Sequence, residues 1–333
     1  MKNLNTQITA FGKYLPEQIL DNFDLEKMVD TSDKWIRERT GIVKRHIARD
    51  DEASSDMASS AFKDMQERFD IDPEEIDLII VATITPDMFF PSTAALIQEN
   101  IGAKNAWGFD ISAACSGFVF ALENARRFVE SGAYKKVLVF GAEKMSAITD
   151  YEDRNTCVLF GDAGTVVLVE PTEDNYGVLD SNLNMDGMGQ KYLYMKGGGS
   201  LNPATHETVD KKMHYIYQNG RPVFKYAVNS MVDAGKELIE RNGVDSEDLS
   251  LFIPHQANKR IIDACANRLD LDDEQVMINI DKYGNTTAAT IPLGIIDAYD
   301  DNRLQKDDLI LLTSFGGGFT WGATLLKWSL NNE

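Results

Sequence analysis

Apolar positions along the chain gather in short continuous runs separated by segments of helical period. IDLIIVATI (76–84), KKVLVFGAE (135–143) and GTVVLVE (164–170) are runs of the kind shown by strands covered on both faces. LSLFIPH (249–255) and DLILLTSF (308–315) are their later counterparts. Between them, ALIQENI (95–101), GFVFALENARRFVES (117–131), VNSMVDAGKELIER (228–241) and KRIIDACANRL (259–269) space their apolar residues as helices do. Strands alternating with helices predict α/β layering around a largely parallel sheet. Residues 185–222 contrast with this. The stretch GMGQKYLYMKGGGSLNPATHETVDKK is polar, glycine-rich and without period, which predicts a long covering loop.

The pattern repeats. DPEE before Ile76 matches DSED before Leu249, and SGAYKKVLVFG matches NRLQKDDLILLTSFG. Both matches share an offset of roughly 172 residues, the mark of an internal duplication. The expected division is residues 1–172 and 173–333, with equivalent loops of both halves meeting at one pseudo-two-fold site.

Composition narrows the function classes. The 333 residues are 43% hydrophobic and 26% charged, as in ordinary globular proteins of one or two closely packed domains. No apolar run approaches the ~20 residues of a membrane span, and MKNLNTQITAF lacks a secretory core, so a cytosolic protein is expected. The net charge of −20 argues against nucleic-acid binding and predicts a solvated acidic surface. Three cysteines, Cys115, Cys157 and Cys265, show no CxxC spacing, which argues against a disulfide framework and a zinc site. Histidines number four: His46, His206, His214 and His255.

In FDISAACSGFVFALENARRFVES, small residues Ser112, Ala113 and Ala114 make a corner before Cys115, which starts an amphipathic helix. A thiol at a helix N-terminus feels the positive dipole end, which favours the reactive thiolate. A buried structural thiol is the competing reading. Cys157, in an apolar stretch, and Cys265, mid-helix, lack that setting. His255 ends a strand and leads into HQANKR, the kind of place where α/β active sites collect residues. Asn285, in YGNTTAAT, suits helix capping, but by the repeat offset its turn is the counterpart of the one carrying Cys115. SFGGGFTWG (314–322) is either an ordinary glycine turn or one whose N–H groups join that of Cys115 in an oxyanion hole.

Taken together, DISAACSGF, PHQANKRI, GNTTAA and SFGGGFTWG, with TSDKWIRERTGI near the N-terminus, resemble the β-ketoacyl-acyl-carrier-protein synthase III family of the thiolase-like superfamily. The resemblance spans residues 1 to about 330. It implies an α/β thiolase-like αβαβα five-layered sandwich of two duplicated halves. It also implies a homodimer that starts type II fatty acid synthesis. An acyl group, usually acetyl, would pass from coenzyme A to Cys115 and condense with malonyl-acyl carrier protein, releasing CO₂. The catalytic triad falls on Cys115, His255 and Asn285, with neutral His255 and the Asn285 amide both donating to the enolate oxygen. Backbone N–H groups of Cys115 and Gly317 would form the oxyanion hole.

The resemblance further assigns Trp35 and Arg154 to an adenine sandwich. Thr31, Arg39 and Thr40 fall at the coenzyme A entrance, and Phe224 and Asn258 along the pantetheine tunnel. Phe90 would reach across the dimer to cap the acyl pocket. Carrier docking falls on Gln256, Ala257, Asn258, Lys259 and Arg260, with Lys225 nearby. Here the chain departs from the pattern: Arg268 stays basic, but Asn267 stands where relatives can carry lysine. No permanently bound cofactor or metal is implied; the coenzyme A thioester is substrate. Elongating synthases need a second histidine where Asn285 stands, and thiolases a second cysteine that SFGGGFTWG lacks. Plant-type polyketide synthases share Cys-His-Asn but differ in the glycine loop. A synthase III relative with another starter, and a non-catalytic acyl-binding subunit, are the remaining alternatives.

Overall fold

The computed structural model describes residues 4–331. Two mixed sheets carry the chain. The first contains β1 (Asn5–Tyr14), β2 (Leu78–Ala82), β3 (Trp107–Ile111), β4 (Val137–Glu143) and β5 (Ala163–Thr172) in the order β1-β5-β4-β2-β3. The second contains β6 (Gly177–Met185), β7 (Leu251–Pro254), β8 (Leu309–Gly316) and β9 (Thr320–Lys327) in the order β7-β8-β9-β6. Read from its other edge, the second sheet repeats the first. β1 and β6 are antiparallel to β5 and β9, which are antiparallel to β4 and β8; these in turn run parallel to β2 and β7. An isolated parallel bridge from Phe252 to Val276 stands where β3 stands in the first sheet.

Seven helices position the layers: α1 (Asp33–Thr40), α2 (Ser54–Arg68), α3 (Thr93–Ile101), α4 (Gly117–Glu130), α5 (Gly220–Asn242), α6 (Lys259–Arg268) and α7 (Thr290–Asp300). Side chains on β2 alternate as a strand requires. Leu78, Ile80 and Ala82 face a central core with Phe118 and Leu122 of α4 and Ile291 and Ile295 of α7. Ile79 and Val81 face the outer core with Ala58, Phe62 and Met65 of α2 and Ile97 of α3. On the second sheet, Leu312 faces the central core while Leu311 packs against Met231 and Leu238 of α5 and Ile262 of α6. The result is five layers, helix–sheet–helix–sheet–helix, with α4 and α7 as the shared middle. Sheets buried on both faces explain why strands such as LIIVA read as unbroken apolar runs.

The long covering segment is shorter than its composition suggests. Helix α5 begins at Gly220, eight residues before its apolar period becomes legible, because Pro222 in the first turn has no need of an N–H partner there. Within the rest lie a short helix, His206–Asp210, and a ribbon pairing Tyr217 with Tyr194 and Gln218 with Leu193.

Candidate active site

Cys115 lies in a 3-10 turn, Ala114–Ser116, that leads directly into α4. Ala114 has φ 47°, a left-handed value that a non-glycine residue adopts only under constraint. The constraint comes from the β8–β9 hairpin. Ser314 Oγ donates to Cys115 O (2.9 Å), Ser116 Oγ to Thr320 O (3.0 Å), and Thr320 Oγ1 to Ala113 O (2.9 Å). Sequence reasoning missed these three hydroxyls, because nothing local distinguishes them from strand serines and threonines.

His255 follows β7, and its backbone N–H donates to Thr313 O on β8 (2.8 Å). Its ring is buried, with Nδ1 2.7 Å from Thr290 Oγ1. Asn285 is held by its own backbone: its N–H donates to Leu159 O (2.9 Å) and its carbonyl accepts from Gly161 N–H (3.2 Å). Its Oδ1 accepts from Thr287 N–H (2.9 Å), which leaves the Nδ2 amide as a donor without a partner among the described residues. All three side chains open on one cavity of about 770 Å³, together with Gly317.

Burial sets the resting protonation. It pushes the Cys115 thiol up to about 12, with the Glu143 carboxylate adding and the residue's own N–H opposing. The expected lowering by the helix terminus therefore loses to desolvation. Burial also lowers His255 to about 3, so the ring is neutral. Glu143, at the end of β4, is buried and pushed up to about 7 by desolvation. It accepts from Ile84 N–H (3.1 Å), Thr85 N–H (3.1 Å) and Thr83 Oγ1 (3.2 Å), fastening the segment that leads to Phe90. Its sequence signal was available: an acid closing the otherwise apolar strand VLVFGAE.

At the glycine turn, Gly317 lines the cavity, while Gly316 lies against the nucleophile. A Cβ on Gly316 would stand 2.7 Å from Cys115 N. That contact is why a side chain is not tolerated there.

The cavity lining includes Trp35, Arg39, Thr40, Phe224 and Asn258 of the expected coenzyme A residues, Ala257 and Arg260 of the expected carrier residues, and Arg221, which sequence reasoning did not single out. None of Arg39, Arg221 and Arg260 is in an ion pair among the described residues, so the mouth is locally basic on an acidic protein. Arg260 lies over the Phe224 ring at 5.5 Å. The Asn258 side chain caps α6 by accepting from Arg260 N–H (2.9 Å).

Several expected contacts fall elsewhere. Gln256 is 1% exposed; its amide donates to Pro254 O and Met277 O and accepts from Asn279 N–H, so it is a fastener rather than a docking surface. The Thr40 hydroxyl lines the cavity but is spent on Ile36 O and Ile42 N–H. Thr31 does not line the cavity. Arg154 stacks directly on Trp35, 4.5 Å from the ring centroid, whereas an intercalated ring needs about 7 Å between its flanking planes. The sandwich is closed as it stands. Lys259 is exposed and paired with Asp263 (2.7 Å), and Lys225 is exposed outside the cavity. Phe90 is 84% exposed and away from this chain's own cavity.

Comparison with known proteins agrees with this architecture. Residues 109–187 match the family model for 3-oxoacyl-[acyl-carrier-protein (ACP)] synthase III, and residues 239–328 match the model for its C-terminal part. A beta-ketoacyl-[acyl-carrier-protein] synthase III of Koribacter versatilis is 53% identical, over 97% of this chain and 98% of the relative. The crystal structure of 3-oxoacyl-[acyl-carrier-protein] synthase III from Aquifex aeolicus VF5 superposes with a TM-score of 0.90 at 47% identity, over 97% of this chain and 100% of that one. The enzyme from Thermus thermophilus gives 0.91 at 44% identity, over 97% and 99%. The five layers are therefore those of the thiolase-like fold. Near-complete coverage in both directions, matched models in both halves and a Cys-His-Asn cavity between the two sheets lead to one assignment: the chain belongs to the 3-oxoacyl-[acyl-carrier-protein] synthase III family of condensing acyltransferases.

Proposed function

We propose that this chain takes a short acyl group from a coenzyme A thioester onto Cys115 and condenses it with malonyl-acyl carrier protein. The products are CO₂ and a 3-oxoacyl-carrier thioester, the first condensation of type II fatty acid synthesis. The observation that carries this reading is one buried cavity onto which Cys115, His255 and Asn285 all open, with unpaired arginines at its mouth.

Physical chemistry assigns the roles. Cys115 sulfur attacks the acyl carbonyl, and the N–H groups of Cys115 and Gly317 hold the tetrahedral oxyanion. In the second half-reaction the malonyl carboxylate leaves as CO₂, and the enolate oxygen accepts from Asn285 Nδ2 and from a proton on His255. The enolate carbon then attacks the acyl-Cys115 carbonyl and regenerates the thiol. Arg39, Arg221 and Arg260 suit the coenzyme phosphates, and Lys225 with Arg260 the acidic carrier, so carrier binding weakens as salt rises. For the adenine to bind between Trp35 and Arg154, Arg154 must swing away from the indole.

A homodimer completes the site. Phe89 and Phe90 are 80% and 84% exposed, and β3 is a sheet edge that bears the half-exposed Trp107. An apolar loop beside a free edge is a surface that a second copy would cover. Three free cysteines fit a reducing cytoplasm.

Intact-mass analysis after mixing with acetyl-coenzyme A tests the reading. A single acetyl adduct is expected on the wild type and none on Cys115→Ala. Absence of any adduct on the wild type, with acetyl-, isobutyryl-, butyryl- and octanoyl-coenzyme A alike, would sink it.

A further inference from the structure

Thr290 opens α7 directly behind His255 and is 2% exposed. Its hydroxyl lies 2.7 Å from His255 Nδ1 and 3.0 Å from the Thr287 carbonyl. A hydroxyl has one proton to give. The carbonyl can only accept, so the Thr290 proton goes to Thr287 O, and the Thr290 oxygen accepts from His255 Nδ1–H. The ring is neutral, so its single proton is on Nδ1, and Nε2 carries a bare lone pair. Among the described residues Nε2 makes no hydrogen bond. The described residues lining the cavity include no carboxylate and no other histidine. Glu143 does not line the cavity; it is held by Thr83, Ile84 and Thr85 and faces Thr287 from behind the wall. Nε2 is thus the base that the cavity offers.

We infer that Thr290 is a positioning residue that pins the His255 proton to Nδ1, so that Nε2 carries the reaction's proton in both half-reactions. This rests on the Cys115–His255–Asn285 reading above. In acyl transfer the Cys115 S–H bond breaks as the S–C bond forms, and the proton passes to Nε2. Collapse of the adduct breaks the bond to the coenzyme sulfur, and the leaving thiolate takes the proton back from Nε2. Condensation consumes one proton from water. Nε2 picks it up beside the malonyl carboxylate, donates it as a hydrogen bond to the enolate oxygen, and finally returns it to the departing Cys115 thiolate. Thr290 accepts from Nδ1–H throughout, which stabilises the imidazolium each time it forms. A neutral ring with this tautomer has no donor at Nε2, so the donation to the enolate expected from neutral His255 needs the protonated ring instead.

The test is ¹⁵N NMR of the histidine-labelled full-length protein, where four histidines give a readable spectrum, with His255→Asn for assignment. The expected wild-type signature is a protonated, pyrrole-type Nδ1 and a pyridine-type Nε2. Thr290→Val keeps the shape and removes the acceptor; it should shift the tautomer toward Nε2–H and slow single-turnover acetylation at least about tenfold. Coenzyme A affinity should stay within twofold, and Thr290→Ser should restore both tautomer and rate. A wild-type ring protonated on Nε2, or a Thr290→Val protein that acetylates within twofold of wild type, overturns the inference. If Thr290→Val does not fold, the wild-type tautomer decides alone. Failure of the parent reading shows differently, as a wild-type protein that never acetylates.

Discussion

The turn at residues 114–116 and the turn at residues 287–289 have the same construction. Each is a 3-10 turn that enters a central helix, and each begins with a left-handed non-glycine residue, Ala114 at φ 47° and Thr287 at φ 50°. They stand roughly 173 positions apart, the offset that also relates β2 to β7 and α4 to α7. Their side chains differ. Cys115 corresponds to Ala288, Asn285 to Ser112, and His255 to Ala82. Two of the inert members, Ala82 and Ala288, are buried together, while Ser112 is exposed: a Cβ on Gly117 would lie 3.0 Å from the Ala82 Cβ and 3.5 Å from the Ala288 Cβ. One backbone motif, used twice, offers two positions at the centre of the molecule, and the chain places a thiol at one and an amide at the other. Chemistry at these turns is a matter of substitution on a fixed frame, not of different frames.

That comparison can be broken by making the turns alike. The largest effect belongs to Cys115→Ala, which gives the first turn the residue of the second. It should abolish acyl adducts by mass and condensation by product assay. Asn285→Ser copies the first turn into the second. Acetylation should stay within twofold, while condensation falls on the order of 100-fold, since the amide donor to the enolate is lost. Equal loss of both rates would remove the division of labour between the turns. Gly316→Ala pushes a methyl against Cys115 N and should slow acetylation about tenfold or more, with far-UV circular dichroism unchanged. Ala288→Cys offers a thiol at the second turn. Because Ala288 is 1% exposed against Gly117 and Gly141, this thiol should take no acyl group and cost about 1–3 kcal/mol in urea unfolding. The smallest effect is one of pH. His255 is lowered from 6.5 to about 3, so the resting ring is neutral from pH 5 to 8, and acetylation should show no inflection near 6.5. Stability behaves otherwise. The unfolded chain binds the His255 proton below 6.5 and the folded chain does not, so this contribution is complete above 6.5 and is lost as pH falls toward 3.

Legibility followed the physics of each element. Strands covered on both faces, β2, β4, β5, β7 and β8, stand out as apolar runs, and α4 and α6 as amphipathic periods. Half-covered strands were harder. β3 runs from exposed to half-buried and β6 from buried to exposed, and β9, though mostly buried, begins inside a glycine turn, so none shows clean alternation. Among candidate site residues, Cys115, His255 and Asn285 stood out in the sequence because their residue types are rare or their motifs long. Arg221 was not, because a lone arginine at a helix start has no local signature. Gln256 was misjudged because HQANKR, read from Gln256 onward as a surface motif, turns that residue inward to fasten the loop before Asn279.

The sequence by itself determined the layered α/β class, the repeat, and the three residue types that make decarboxylative condensation the chemistry to expect. The class and the repeat depend on periodicity, a local property of the chain, and the three residue types on motifs that resemble those of the synthase III family. Tertiary structure alone decided protonation and donor direction. Cys115 and His255 are neutral because packing removes water from both, and Asn285 shows its amide to the cavity because Thr287 N–H occupies its oxygen. Thr290, 35 positions from His255, sets the imidazole proton. Desolvation and hydrogen-bond direction are properties of neighbours brought together in space, and no order of residues along the chain records them.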